Sequence, residues 1–192
     1  ASNVNQYKTM GLKELTYGGD KELETFMEEL FNRGILKNFT KSELLNPSGK
    51  LIGRDAQVDS YFETKCSLEK SNNLILGDAG AGKTFFMKGI GRLVLSPERK
   101  KAPYYGMNVL ALNFDLFEQL KNEKKRELLL KFLEINQTRG KDRLKKINYT
   151  FYVDEAHTIP KDFLQLLKSY TDANQISADF STTLNESQDM NK

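Results

Sequence analysis

The spacing of apolar positions changes along the chain and predicts strands that alternate with helices. Three short apolar runs have the length of strands in a parallel sheet: 74–76, 109–112 and 149–153. Four further stretches have helical spacing or helix-favouring composition: about 58–66, 83–95, 123–135 and 163–167. This alternation predicts an α/β fold, with helices on both faces of a parallel sheet and with its first strand buried on both sides.

One more amphipathic helix precedes this pattern. Asp20 suits its N-cap and Gly34 its end, and the apolar residues between them recur at helical spacing: Leu23, Phe26, Met27, Leu30 and Phe31. We expect this stripe to pack on the core, with a partner surface as the alternative. Residues 46–49 form a predicted turn, so we predict an N-terminal helical extension over 1–45 and a main domain over 46–192.

Composition and charge are those of a water-soluble globular protein. The chain has 39% hydrophobic and 29% charged residues, a net charge of +3 and no apolar run near the ~20 residues that span a bilayer. Cys66 and His157 are the only cysteine and histidine, which argues against a disulfide and a histidine–cysteine metal site. We therefore expect a cytoplasmic protein without membrane attachment, and its modest basic clusters make nucleic-acid binding unlikely.

A glycine-rich stretch carries the strongest chemical signal. Residues 77–84 match G-x-x-x-x-G-K-[ST] between a predicted strand and a predicted helix, the context that a phosphate-binding loop requires. Glycines let backbone N–H groups approach a triphosphate, Lys83 adds a charge for the β and γ phosphates, and the Thr84 hydroxyl reaches Mg²⁺. The residues expected to contact the nucleotide here are Asp78, Ala79, Gly80, Ala81, Gly82, Lys83, Thr84 and Phe85.

Two carboxylates follow the third predicted strand. At the carboxyl end of a parallel strand, Asp154 would face the Mg²⁺ ion, with Thr84 as the second protein ligand. Glu155 could act as general base on the attacking water. Together with the glycine-rich loop, the pair predicts a P-loop NTPase that binds ATP or ADP with Mg²⁺, and Lys83, Asp154 and Glu155 are its candidate catalytic residues.

Four segments together resemble the first ATPase module of the Clp family of AAA+ protein unfoldases: 51–55, 72–78, 109–112 and 154–159. The resemblance covers about residues 45–170. It implies a three-layer αβα domain that hydrolyses ATP, remodels protein partners and assembles as a homo-oligomeric ring. It also implies that Ile52 and Gly53 line the adenine pocket, and that Thr183 or Thr182 senses the γ-phosphate.

The sequence departs from that family in two places. Residues 113–124 lack the glycine-flanked tyrosine of a substrate-threading loop, and we predict that Phe114 and Phe117 are core residues. Neither Arg139 nor Arg143 matches an arginine finger, and no helical lid is evident, so the AAA+ large subdomain is expected to be incomplete at its C-terminus. We therefore expect this chain to bind ATP but to hydrolyse it slowly.

Two other function classes remain open at this stage. Residues 154–157 spell Asp-Glu-Ala-His, the motif of a class of nucleic-acid-dependent ATPases, and 181–183 could match a downstream motif of that class. The missing finger and threading loop are also compatible with a non-hydrolysing scaffold that uses nucleotide only for its shape. The first alternative predicts stimulation by RNA or DNA, and the second predicts no turnover.

Overall fold

The computed structural model describes residues 2–67, 72–77, 82–136, 146–173 and 175–183. The strands within these ranges are β1 (Leu36–Asn38), β2 (Asn73–Leu76), β3 (Asn108–Leu112), β4 (Tyr149–Val153) and β5 (Ala178–Thr182). The α-helices are α1 (Ser2–Thr9), α2 (Lys21–Asn32), α3 (Phe39–Leu45), α4 (Asp55–Cys66), α5 (Lys83–Leu93), α6 (Phe114–Glu118), α7 (Lys125–Ile135) and α8 (Lys161–Asp172). Short 3-10 helices occupy Pro97–Arg99 and Ala156–Thr158.

The strands form one sheet in the order β1-β3-β4-β5-β2. The three predicted strands correspond to β2, β3 and β4, which belong to a parallel set as expected, whereas β5 was not among the predicted strands and pairs in parallel with β2 and β4. β1 was not predicted and adds an antiparallel edge, with Leu36 opposite Leu112. β4 is central and all five of its residues are buried. β5 lies between β2 and β4, so the strand before the glycine-rich loop and the strand before the acidic pair are not neighbours.

Helices cover both faces of the sheet and make it the middle of three layers. One core cluster joins α2, α6, α7 and α8 to side chains on one face, including Leu110 and Phe151. The other joins α3, α4 and α5 to the opposite face, including Val109 and Tyr152. The predicted αβα architecture is therefore confirmed. No helix in the described ranges has the length and apolar character needed to cross a bilayer.

One strand is less buried than the sequence predicts. Leu74 and Leu76 in β2 are 51% and 44% exposed, so the prediction of burial on both faces is wrong. The reason is position, because β2 is an edge strand of the described sheet and pairs only with β5 there. Apolar content alone did not distinguish this edge from a central strand such as β4.

The N-terminal helix packs as its pattern predicts. The Asp20 side chain accepts a hydrogen bond from the Leu23 backbone N–H and caps α2, whose apolar stripe joins the first core cluster. The boundary near residue 46 stays a prediction, but packing is continuous across it. β1 belongs to the sheet, and the Thr40 hydroxyl in α3 donates to the Met107 carbonyl and accepts from the Val109 N–H.

The inward face of α4 carries a charge that the sequence pattern did not identify. Cys66, expected on that face, is exposed, whereas Lys65 is fully buried. The Lys65 ammonium lies 2.7 Å from the carboxylate of Asp179 in β5, which is also fully buried. Tyr61 and Thr150 donate to the same carboxylate, at 2.5 and 2.6 Å. This network holds α4 against β4 and β5, and it accounts for an acidic residue within a buried strand.

The buried pair yields a stability prediction. Removing one charge leaves the other buried without its counter-ion, so Asp179→Asn and Lys65→Met should each lower the free energy of unfolding by about 3–5 kcal/mol. The double variant should lose much less than the sum of the two, as measured by urea unfolding in a double-mutant cycle. Additive losses would contradict a direct pairing in solution.

Candidate functional site

The carboxyl ends of β2, β4 and β5 lie at one edge of the sheet because these strands are parallel. Gly77 follows β2, Asp154 follows β4, and Thr183 follows β5. The Gly77 N–H donates to the Thr182 carbonyl at 3.3 Å, so the pairing of β2 with β5 continues to the start of the glycine-rich loop. The predicted loop and acidic pair therefore share one edge, where open α/β sheets bind their ligands.

The end of the glycine-rich loop has a conformation that glycine favours. Gly82 adopts φ +79° and ψ 23°, directly before α5, where a side chain would be strained. The Lys83 ammonium donates to the Gly77 carbonyl at 3.3 Å, so it points back across the loop. Thr84 and Phe85 are exposed in the first turn of α5. The remaining predicted loop residues lie outside the described residues: Asp78, Ala79, Gly80 and Ala81.

Asp154 is held by its neighbours. One carboxylate oxygen, Oδ1, accepts from the Ser181 hydroxyl at 2.9 Å and from the Glu155 N–H at 2.9 Å. Ser181 lies in β5 and is fully buried. Ser181 belongs to a candidate motif in the sequence, but its contact with Asp154 was not predicted, because only the sheet order reveals that β5 lies beside β4. The hydrogen bond from Ser181 orients the carboxylate that is predicted to bind Mg²⁺.

Glu155 has a strained backbone. Its φ is +50° and its ψ is 51°, and it is the one residue other than glycine with positive φ in the described ranges. The left-handed conformation costs an L-residue about 1–2 kcal/mol. Such strain is concentrated at functional sites, where the surrounding structure holds it in place. The exposed carboxylate of Glu155 follows Asp154 at the mouth of the site.

The predicted metal ligands meet at one cavity of about 250 Å³, whose lining includes Thr84, Asp154, Glu155 and Tyr152. A hydroxyl and a carboxylate are hard oxygen donors that suit Mg²⁺, which takes one or two carboxylates and fills its other positions with water and phosphate. The described ranges contain no cluster of three or more acidic, histidine or cysteine side chains that could hold a metal ion. Burial and the nearby Asp154 carboxylate raise the pKa of the Tyr152 phenol.

The predicted adenine residues lie in an exposed turn before α4. Ile52 is 90% exposed, and Gly53 has φ +69°. Leu51 instead anchors this turn, because it fills the space beside Gly89 of α5, where an added Cβ would come within 2.4 Å of its side chain. The turn is thus fixed to the helix that begins at the phosphate loop. The role of Ile52 and Gly53 in binding adenine stays a prediction.

The two candidate phosphate sensors have different surroundings. Thr182 is fully buried, and its hydroxyl lies 3.1 Å from Nδ1 of His157, so it supports the segment that follows the acidic pair. Thr183 is half-buried just past the end of β5. Continued alternation along the strand puts Thr183 on the side of Ser181, which contacts Asp154. This arrangement favours Thr183 as the residue nearer to a bound phosphate.

Two aromatic residues of segment 113–124, which lacks the glycine-flanked tyrosine of a threading loop, belong to the core. Phe114 is 6% exposed and Phe117 is fully buried. Their rings pack on Phe163 of α8, with centroids 6.0 and 6.4 Å apart. The prediction that both are core residues is confirmed.

No family model matches the chain, but individual proteins are similar to it. The chaperone protein ClpB of Wolinella succinogenes is 26% identical over 141 residues, which cover 69% of this chain and 15% of that protein. The chloroplastic chaperone protein ClpD of Arabidopsis thaliana is 27% identical over 150 residues, covering 71% of the chain and 15% of that protein. This chain is related to the Clp-type AAA+ proteins.

The fold of the chain is also similar to that of solved Hsp104 structures. The S. cerevisiae Hsp104:casein complex in its extended conformation matches with a TM-score of 0.66 at 20% identity, over 82% of the chain and 27% of the Hsp104 chain. The S. cerevisiae Hsp104-ADP complex matches with the same TM-score at 19% identity, over 82% and 22% of the two chains. The Clp-related chain therefore corresponds to a small part of the proteins that it resembles.

The strain at Glu155 yields a prediction that separates backbone from chemistry. Glycine adopts positive φ without steric cost. Glu155→Gly should therefore have a free energy of unfolding about 1 kcal/mol higher than that of Glu155→Ala, as measured by urea unfolding. At Glu127, exposed within α7, the same two substitutions should rank in the opposite order, because glycine weakens a helix. If alanine is the more stable substitution at both positions, Glu155 is not strained in solution.

Proposed function

We propose that this chain binds ATP with Mg²⁺ and hydrolyses it as the nucleotide-binding part of a Clp-type AAA+ protein-remodelling ATPase. The observation that carries the proposal is the shared cavity, where Thr84 at the start of α5 meets Asp154 and Glu155 at the end of β4. The hydrogen bond from Ser181 to Asp154 supports it, since metal-binding side chains are commonly held in orientation by neighbouring hydrogen bonds.

Each residue has a distinct task in this proposal. The backbone N–H groups of the glycine-rich loop and the positive N-terminal end of α5 attract the phosphates. Lys83 adds a full positive charge beside the β and γ phosphates. Thr84 and Asp154 would hold Mg²⁺. A bound Mg²⁺ ion would neutralise the negative charge that develops on the phosphate oxygens. Glu155, at the mouth of the cavity, orients the attacking water and accepts its proton.

The remaining parts of the proposal concern partners. Solved relatives include an Hsp104 complex with casein, which favours protein over nucleic acid as the partner of this chain. We further propose that the whole protein works as a homo-oligomeric ring, so that turnover per chain rises with protein concentration.

Nucleotide binding and hydrolysis test the proposed function directly. Titration calorimetry should show that the unaltered chain binds Mg·ATP, and that Lys83→Ala weakens this binding tenfold or more because a full charge beside the phosphates is lost. Glu155→Gln should retain binding, while its phosphate release falls to background. Lys100→Ala, which removes an exposed lysine from the loop after α5, is the control and should behave like the unaltered chain.

Two results would overturn the proposal. The first is no uptake of ATP by the unaltered chain at millimolar concentrations. The second is equal phosphate release by the unaltered chain and by Glu155→Gln, even at high protein concentration, which would favour a scaffold that does not hydrolyse nucleotide. Slow turnover in dilute solution is the expected behaviour.

The two threonines at the end of β5 should differ in what their loss affects. Thr183→Val should lower phosphate release about tenfold or more, because it removes a donor to the γ-phosphate. Thr182→Val should lower the free energy of unfolding by about 1 kcal/mol, because it removes the hydrogen bond with His157. Turnover with ATP and urea unfolding measure the two effects, and the reverse pattern would assign the sensor to Thr182.

A further inference from the structure

Tyr152 is a buried tyrosine that points toward the metal site. It is 1% exposed, and its ring packs in the second core cluster, with Phe39 at a centroid distance of 6.3 Å. It stands two residues before Asp154 in β4, so the two side chains leave the strand on the same side. The ring is thus a core side chain, and Tyr152 also lines the cavity beside that core.

Within the described ranges the hydroxyl of Tyr152 makes no hydrogen bond of normal geometry, although Ser181, Thr84 and Asp154 lie close enough to influence its pKa. An unpaired buried hydroxyl is destabilising, and a buried tyrosine normally finds a hydrogen-bond partner. The other buried tyrosines near the sheet do so: Tyr149 donates to the Leu133 carbonyl at 2.9 Å, and Tyr61 donates to Asp179 at 2.5 Å. The unpaired hydroxyl therefore requires an explanation that packing does not provide.

The position of this hydroxyl suggests an explanation for the missing hydrogen bond. Tyr152 lines the cavity with Thr84 and Asp154, and the volume of about 250 Å³ is large enough for several waters at about 30 Å³ each. Mg²⁺ keeps several of its waters when it binds between protein and phosphate. Those waters need acceptors and donors around them, and Oδ1 of Asp154 already accepts two hydrogen bonds from protein groups.

We propose that Tyr152 is a positioning residue for Mg²⁺, whose hydroxyl hydrogen-bonds to the water shell of the ion that Thr84 and Asp154 hold. The inference rests on the proposed function and goes beyond it, because neither the glycine-rich loop nor the acidic pair assigns a role to Tyr152. A neutral phenol is a poor inner ligand for Mg²⁺, so it acts through water. The hydroxyl fixes the waters that complete the coordination shell, as groups around other metal sites do.

A matched pair of variants tests the inference. Tyr152→Phe removes only the hydroxyl, and Tyr149→Phe removes a hydroxyl from the same strand that is bonded to the Leu133 carbonyl. Mg²⁺ is titrated into each protein with a non-hydrolysable ATP analogue, and analogue affinity is also measured in EDTA. Tyr152→Phe should require about tenfold more Mg²⁺ for half-maximal binding, with unchanged affinity in EDTA and an unchanged or higher unfolding midpoint. Tyr149→Phe should lower the unfolding midpoint and leave the Mg²⁺ requirement unchanged.

The outcomes separate this inference from the proposed function. If the unaltered chain binds the analogue and Tyr152→Phe needs no more Mg²⁺ than the unaltered chain, the role of Tyr152 is refuted and the proposed function stands. An equal loss of affinity with Mg²⁺ and in EDTA also refutes it, because the hydroxyl would then act on packing or on the nucleotide itself. If the unaltered chain binds no analogue under either condition, both the proposed function and this inference fall.

Discussion

Parallel pairing of β5 with both β2 and β4 sets the geometry of the edge at which the candidate site lies. Through its pairing with β2, β5 fixes where the glycine-rich loop begins, since the Gly77 N–H continues the ladder to the Thr182 carbonyl. Through its pairing with β4, it brings Ser181 within a hydrogen bond of Asp154. A shift of β5 by one residue would turn Ser181 away from the site, because alternate residues face opposite sides of a sheet.

The side of β5 that faces α4 and α5 is polar, although the strand is buried. Asp179 binds Lys65 and Tyr61 at the level of the sheet interior, and Ser181 two residues later supports Asp154. A buried polar row is costly unless each member is paired. The pairing here couples the helix α4, the carboxylate of Asp154 and the strand β5 between them. The buried Lys65–Asp179 pair therefore lies near the candidate site and not in the first core cluster, which is on the opposite face of the sheet.

Local signals predicted much of this arrangement. Apolar runs identified β3 and β4 and most of β2, and Asp20 identified the start of α2, because these features depend on residues close together in the chain. The three-residue strand β1 gave no comparable signal and forms through pairing with β3. Its neighbour in space lies more than seventy positions away in sequence, where local patterning has no influence. Edge exposure of Leu74 and Leu76 also depends on strand order alone.

The features of the candidate site also fall into those that local sequence predicts and those that depend on the fold. The glycine-rich loop and the acidic pair are contiguous motifs, so their residue types stand out in the sequence. Ser181, Lys65 and the hydroxyl of Tyr152 acquire their surroundings only when distant strands meet. Asp179 illustrates the difference, because a charged residue is unusual in a buried strand and only the structure places Lys65 beside it. What sequence reasoning missed is therefore the set of groups around the motifs rather than the motifs themselves.

A crystal structure of the chain with Mg²⁺ and a non-hydrolysable ATP analogue tests the central claim most directly. The account predicts a metal ion about 2.0–2.1 Å from the Thr84 hydroxyl oxygen, with Asp154 in or next to its coordination shell and the triphosphate wrapped by the glycine-rich loop. A triphosphate bound away from α5, or a metal ion that contacts neither Thr84 nor the surroundings of Asp154, would contradict it.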